Sequence, residues 1–591
     1  MIKSGYLVLL TLSIGCTNPI KILNQASSNN PEITEAELLA HIKYLSDNKR
    51  TGRFPGTEGS KEAVEYISNN FKANNLLPGG TEGFLQPFEF ITGIKAGNET
   101  RLVFDGRSLT LNKEFIPIEF SSNGKFEGKI AFMGYGFIID DSISWNDYKG
   151  INLEGKWALI LRGAPGGNHP HSKFRNHSSL RKKAMIAKDK NALGVIFVNQ
   201  NGDNDLILLE HSPNSLSIGI PVVQIRRDIA NEILSQKLND LQISLDEQNK
   251  QQTFSIDKKI ISELKLKRET KLVPNVIGII PGNDPALKHE YIVLGAHFDH
   301  LGLGGDGSGS LTPGSTLIHN GADDNSSGTA ALLELSSKLI KNKNFLKRSI
   351  IVMGFNAEEE GLLGSKYFVN NPTLDLSSIV AMINMDMIGR MSNNTVTVGG
   401  TGTANIFEPT LREINKDHKL KFKMSPEGFG PSDHASFYIN NIPVLFFFTG
   451  THSDYHKPSD DWQKINIEGE KQIADFIYDL ILNLSHIDSK PIFKESGPKQ
   501  ATRVRSNLKV TFGIMPSYGS DEKGLAIDGV RKNGPAEKAG IKKGDVIVSI
   551  KGEEINNIYD YMYRLEKLET GETVEIIIIR DGEERALMIN L

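Results

Sequence analysis

Cysteine is almost absent: among 591 residues there is one, Cys16. A single thiol excludes an internal disulfide framework and a cysteine-ligated zinc site, and its place near the N-terminus keeps it from catalysis in the mature chain. Cationic excess is missing as well. The formal net charge is −4, which supplies no broad basic surface and argues against nucleic acid as a partner. Long apolar runs are also lacking. The run Tyr6–Gly15 falls well short of the roughly 20 residues a membrane-spanning helix needs. The chemistry therefore has to come from histidines, carboxylates and hydroxyls.

What is present starts with that same short run. Lys3, the apolar stretch and Cys16 have the layout of an export signal. The string Leu12-Ser-Ile-Gly-Cys16 resembles a bacterial lipoprotein box, whose cysteine is lipidated and becomes the new N-terminus. Ser13 stands where that box usually carries Leu, Val or Ile. Residues 1–16 are thus expected to direct export to the cell envelope, periplasmic or on the cell surface. A lipid on Cys16 would anchor the chain to the membrane; the alternative is an ordinary cleaved signal with an incidental cysteine.

Hydrophobic residues make up 39% and charged residues 23% of the chain, a globular composition, and the length calls for two to four domains. Residues 32–84 hold two helical patterns. Leu38, Leu39, Ile42 and Leu45 share one face, and Ala63, Ile67 and Phe71 repeat the spacing. From 85 to 260 the texture becomes short β-like runs, such as Gly128–Gly136, Lys156–Gly163 and Ala192–Asn199, with one helix near Ser179–Lys190. Residues 266–487 alternate buried strands with amphipathic helices, which predicts an α/β fold: a mixed, mostly parallel sheet sandwiched by helices. Four strands are expected at Tyr291–Ala296, Ser349–Phe355, Ile379–Asn384 and Pro443–Phe448. A linker over 488–506 precedes a separate unit at 507–591.

Acidic and histidine residues cluster at one end of those strands. His297 and Asp299 follow the first, Glu358 and Glu359 the second, Asp386 the third, and His456 lies beyond the fourth. Loops beyond the C-termini of parallel strands converge on one crevice, so residues far apart in sequence meet there. Asp324 comes from the Gly-bounded string Gly321-Ala-Asp-Asp-Asn-Ser-Ser-Gly, which leads into a helix. Two histidines with carboxylates suit zinc, with cobalt or manganese as substitutes. A single catalytic zinc needs about three protein ligands, and the surplus of carboxylates favours two ions. One carboxylate, assigned to Asp324, would bridge ions roughly 3.5–4 Å apart, and Asp299 would fix the His297 tautomer. His452 competes with His456 for the second histidine position. His169, His171, His177 and Arg175 lie in a Gly/Pro-containing loop of the insert and read as solvated surface.

His297-Phe-Asp, Gly321-Ala-Asp-Asp-Asn-Ser-Ser-Gly, Ala357-Glu-Glu-Glu-Gly and Asn384-Met-Asp-Met-Ile-Gly together resemble metallopeptidase family 28, the di-zinc aminopeptidases. The resemblance implies that His297 and Asp386 bind one zinc, Glu359 and His456 the other, and Asp324 both. It implies that Glu358 is the general base and that Tyr455 donates to the oxyanion. It also favours His456, through Tyr-His-Lys-Pro-Ser-Asp, and matches Ser432-Asp-His434 to a string near the substrate pocket without making His434 a ligand. The 85–260 insert resembles a protease-associated domain.

Phe512-Gly-Ile-Met, Gly534-Pro-Ala-Glu-Lys-Ala-Gly540 and Ile541-Lys-Lys-Gly-Asp-Val-Ile resemble a PDZ domain. That implies a loop at Phe512, Gly513 and Ile514 offering N–H groups to a peptide's terminal carboxylate. The function expected is an exported zinc-dependent exopeptidase, an aminopeptidase acting on peptides. The alternatives are a glutaminyl cyclase or carboxypeptidase-type relative, or a peptide-binding protein without catalysis.

Overall fold

The computed structural model describes residues 32–139, 144–167, 173–174, 177–200, 204–209, 217–248, 252–305, 308–312, 314–497, 509–516, 524–531 and 534–591. The signal expected at 1–16, with Cys16, and the insert residues His169, His171 and Arg175 lie outside them. Two compact units emerge, one from residues up to 88 with 273–501, the other from 89–272 with 502–591. Among the described residues no helix is long and apolar enough to cross a membrane.

In the first unit, helix α1 (Glu35–Leu45) begins where the Thr34 hydroxyl accepts the Glu37 N–H at 3.2 Å and donates to the Glu37 carboxylate at 2.7 Å, a reciprocal cap. Leu38, Ile42 and Leu45 are buried, and Leu39 sits at the margin. Helix α2 (Glu58–Ala73), capped by Thr57, buries Ala63, Ile67 and Phe71. The periodicity in the sequence thus marks the faces that pack.

The sheet contains β1 (Leu266–Ile280), β2 (Tyr291–His297), β3 (Ser349–Phe355), β4 (Ile379–Met385) and β5 (Val444–Phe448). Its order is Leu77–Pro78, β1, β3, β2, β4, β5, Thr395–Gly399, Lys421–Met424, with Leu85–Ala96 also paired to β1. The central strands β3, β2, β4 and β5 are parallel. β1 and Thr395–Gly399 run antiparallel beside them, so the sheet is mixed with a parallel centre.

Both faces are covered, which is why these strands read as continuous apolar runs. Ile292, Leu294 and Ala296 face a cluster with α1, α2, α3 (Gly328–Lys341) and, after α4 (Leu363–Asn370) and α5 (His434–Ile439), the long helix α6 (Ile467–His486). Val293, Ile351, Met353 and Phe355 point the other way, onto Phe368 of α4 and Phe437 of α5.

The second unit holds an eight-stranded sheet, Arg107–Leu109, Arg101–Phe104, Phe254–Leu264, Gly124–Phe132, Lys156–Leu161, Gly194–Val198, Val222–Ile225 and Phe115–Pro117 in spatial order. The expected helix is present at Leu180–Asp189, but it is not alone: Arg227–Leu234 and Leu238–Gln248 are helical as well. Ile229, Ala230, Ile233 and Leu234 are buried there at helical spacing, a pattern that the alternating texture around it obscured. Six strands between Ile514 and Asn590 form a sheet with a core of its own. Its helix α7 (Ile558–Leu565) meets the helix Leu180–Asp189: the Asp189 carboxylate accepts from Arg564 Nη1 at 2.7 Å and Lys567 Nζ at 2.6 Å.

Candidate metal centre

The four parallel strands deliver their ends to one place. His297 is the last residue of β2, Glu358 and Glu359 follow β3, Asp386 follows β4, and His456 lies in the loop after β5. The backbone is bent to turn these side chains inward. Ala357, Met387 and His456 hold φ of 57°, 52° and 52°, a region costly for residues with a side chain and concentrated at functional sites. Each borders or is one of the predicted residues.

Asp324 arrives on a wide turn at Ala322–Ser327, where the Ser326 N–H bonds the Gly321 carbonyl five residues back at 3.2 Å. Buried Asp460 pins the turn by accepting the Asp323 and Asp324 N–H groups at 2.9 and 3.1 Å. Asn325 ties it to the end of β4, donating to the Met385 carbonyl at 2.9 Å and accepting the Met387 N–H at 3.2 Å. Asp324 is thereby fixed beside Asp386.

The distances within the cluster carry the chemical meaning. His297 Nε2 lies 3.4 Å from Asp324 Oδ1 and 3.3 Å from Asp386 Oδ1. His456 Nε2 lies 3.3 Å from Asp324 Oδ2 and 3.1 Å from Glu359 Oε2. Ligand atoms at about 2.0–2.1 Å around a tetrahedral zinc stand about 3.3 Å apart, and these separations match such edges. Asp324 offers one oxygen to each histidine. The second histidine is also aimed: His456 Nδ1 meets the Gly309 carbonyl at 3.0 Å, which places the proton there and leaves Nε2 as the donor atom. The donor set fits zinc.

Charge makes the same demand. Asp324, Glu358, Glu359 and Asp386 are buried or nearly so and share one crevice. Burial, set against the nearby His297 and joined by repulsion from Glu359 and Asp386, holds the Glu358 carboxyl well above the usual carboxylate range. Burial also opposes ionisation of Asp324, but the neighbouring His297 and His456 outweigh it and keep that carboxyl well below the usual range. Buried carboxylates this dense call for compensating cations.

Tyr455 stacks on the His456 ring, centroids 3.9 Å apart. Burial, followed by the field of Asp324, Glu359, Asp386 and Glu358, raises its phenol pKa and keeps the proton on. Asp299 sits 3.7 Å from His297 Nδ1, beyond hydrogen-bond length. Its oxygens accept the N–H groups of Glu358 at 3.0 Å and Glu359 at 3.3 Å, so it organises that loop directly. His452 is turned away from the cluster, with Nε2 3.1 Å from Asp323 Oδ2. His434 stacks on Phe446 at 4.3 Å, and burial alone brings its pKa down to about 3.

Two neighbours went unassigned in the sequence. His300 is buried, with Nδ1 2.6 Å from Glu359 Oε1; its only written signal is a second histidine three places after His297. Arg53 is buried and donates to the carbonyls of Phe298, Leu45, Asn320 and Gly321 at 2.6, 2.8, 2.7 and 3.0 Å. Nothing in its local string ties it to loops some 250 residues away. In the C-terminal domain Phe512 and Ile514 are buried, and Phe512 packs edge-on to Tyr561 at 5.6 Å. Gly513 has φ of 73°, its N–H bonds the Thr511 hydroxyl at 3.1 Å, and its carbonyl accepts from Arg531.

Residues 275–481 match the family model for peptidase family M28, residues 112–233 that for the PA domain and residues 505–591 that for the PDZ domain. Leupeptin-inactivating enzyme 1 of Streptomyces exfoliatus is 32% identical over 191 residues, 32% of this chain and 38% of that one. An aminopeptidase of Pseudomonas aeruginosa is 25% identical over 435 residues, 71% of this chain and 70% of its own. Among solved structures, a zinc aminopeptidase from Bacillus subtilis aligns at 21% identity and a TM-score of 0.45, over 79% of this chain and all of that one.

Proposed function

This chain carries a peptidase family M28 domain, and on that premise we propose that it is a zinc-dependent aminopeptidase that removes N-terminal residues from peptides. The observation that carries the proposal is the set of tetrahedral-edge distances, 3.3–3.4 Å at His297 and 3.1–3.3 Å at His456, joined through the two oxygens of Asp324. His297 and Asp386 would hold one ion, Glu359 and His456 the other, and Asp324 both. Zinc held there would supply Lewis acidity toward the scissile carbonyl and a water made nucleophilic near neutral pH.

The chain's own residues do the rest. Glu358 is 8% exposed, its N–H is held by Asp299, and its Oε2 lies 3.9 Å from His297 Nε2, outside the ligand spacing. It takes the proton of the attacking water and returns it to the leaving amine. Tyr455, kept protonated, donates to the oxyanion of the tetrahedral intermediate. The choice of the N-terminus rests on the aminopeptidases among the relatives and on the lining of the crevice. The arginines beside it are engaged, Arg53 with four carbonyls and Arg390 with Asp454 and Asp460.

The PDZ domain is proposed to dock an extended peptide. Ile514–Pro516 is the end strand of its sheet order, which suits strand addition. Export and lipidation at Cys16 are proposed from the N-terminal string alone; intact mass of the envelope-extracted protein, with and without Cys16→Ala, tests them.

The decisive experiment is hydrolysis of an aminoacyl chromogenic panel by the full chain. Activity is expected with free amines, absent with N-acetylated substrates, lost on chelation and restored by zinc. A zinc-loaded protein inert across the panel overturns the proposal.

A further inference from the structure

We infer that His300 is a positioning residue for the second metal site: its Nδ1–H anchors one oxygen of Glu359 so that the other, Oε2, faces His456 and Asp324. This rests on the metal reading above and adds to it a residue that the ligand assignment does not contain.

The first support is metric. His300 Nδ1 and Glu359 Oε1 are 2.6 Å apart, a strong charge-assisted hydrogen bond. Two atoms so close, both bound to one ion at about 2.0–2.1 Å, would subtend about 80°, far from the tetrahedral angle near 109°. The His456 contacts at 3.1 and 3.3 Å do not have that problem. His300 Nδ1 stands 3.9 Å from Asp324 Oδ2, too far for an edge of the same tetrahedron. Its spacing is that of a donor to Glu359.

The second support is how the ring is held. His300 is fully buried and meets His456 edge-on, centroids 5.9 Å apart. Gly321 packs flat on it: a Cβ there would fall 2.5 Å from His300 Cδ2, and its φ is 55°. Arg53 holds the Gly321 carbonyl at 3.0 Å and the Phe298 carbonyl at 2.6 Å. One buried guanidinium therefore fixes the chain against the ring and two residues before it. Glu359 is left with one oxygen committed to His300, which makes it a one-oxygen ligand of fixed direction.

The test compares full-length wild type, His300→Ala and His300→Asn. Asn sets an amide N–H close to the place of Nδ1 but is a poor metal ligand. Zinc stoichiometry is measured by elemental analysis, affinity for the weaker ion by competition with a chelating dye, and ligand identity by the visible spectrum of the cobalt form. His300→Ala is expected to bind the first ion normally and the second about 10–100-fold more weakly. His300→Asn is expected to recover most of that loss, with the wild-type cobalt spectrum. Wild-type affinity in His300→Ala overturns the inference. So does a His300→Asn that is as weak as Ala with a shifted cobalt band, which makes His300 a ligand. A wild type that binds fewer than two ions overturns the metal reading itself, and this inference with it.

Discussion

Replacing Glu358 by Gln separates base catalysis from metal binding. Gln has the same volume, and Asp299 still holds the residue's N–H at 3.0 Å, so the side chain stays in place. Glu358 Oε2 is 3.9 Å from His297 Nε2, whereas the ligand oxygens sit at 3.1–3.4 Å from their histidines. No ligand is removed, and both ions should remain. What disappears is the proton acceptor, worth about 10²–10⁴-fold, or about 2.7–5.5 kcal/mol of barrier. With an aminoacyl chromogenic substrate, kcat is expected to fall by that factor while KM changes little and zinc stays at two per chain. A kcat within tenfold of wild type, with both ions bound, refutes the base assignment. Loss of zinc in Glu358→Gln refutes the separation of base from ligands.

Three further outcomes are expected. Asp324→Asn removes the charge shared by both histidines and should empty both positions after dialysis, read by elemental analysis; a variant keeping both ions would contradict the bridge. Arg53→Met leaves the buried carbonyls of Phe298, Leu45 and Asn320 without the guanidinium's hydrogen bonds, while the Gly321 carbonyl keeps Ser326; each acceptor left unsatisfied costs about 1–3 kcal/mol, so a loss of about 3 kcal/mol or more is expected, measured by denaturant unfolding of the metal-free protein. The Asp189 clasp should be acid-sensitive. Burial pushes the Asp189 pKa up, but hydrogen bonds from Lys567 and Arg564 bring it below the ordinary carboxylate value. A depressed carboxylate stabilises above its unfolded pKa and loses that contribution as pH falls through the folded value, here below about 3.8. Hydrogen-exchange protection in Leu180–Asp189 and α7, taken relative to the intrinsic rate at each pH, should therefore fall in acid, and in Asp189→Asn at neutral pH; unchanged protection in both would refute the clasp.

How much of this was written in the sequence follows from range. The four central strands are legible because both faces of a parallel sheet are buried, which forces runs such as Ser349–Phe355 to be apolar throughout. The helix at Arg227–Leu234 was missed because eight residues with four apolar ones give too short a period to stand out among strands. Glu358, Glu359 and Asp386 are legible because they sit just after recognisable strands, where a parallel sheet gathers its functional residues.

The sequence by itself determined the fold class, the domain order and the strand-end residues, since each is a local pattern of side-chain type and spacing. The family resemblance favours His456 over His452, and the tertiary structure supplies the physical reason. His452 and His456 stand four residues apart in one loop, and a left-handed turn at His456 with the Gly309 carbonyl sends one inward while Asp323 takes the other. Only the tertiary structure decided the surroundings of the site. His300 meets Glu359, Gly321 packs on His300 and Arg53 holds Gly321 across 268 residues of chain, and no local pattern encodes a partner that chain folding alone brings near.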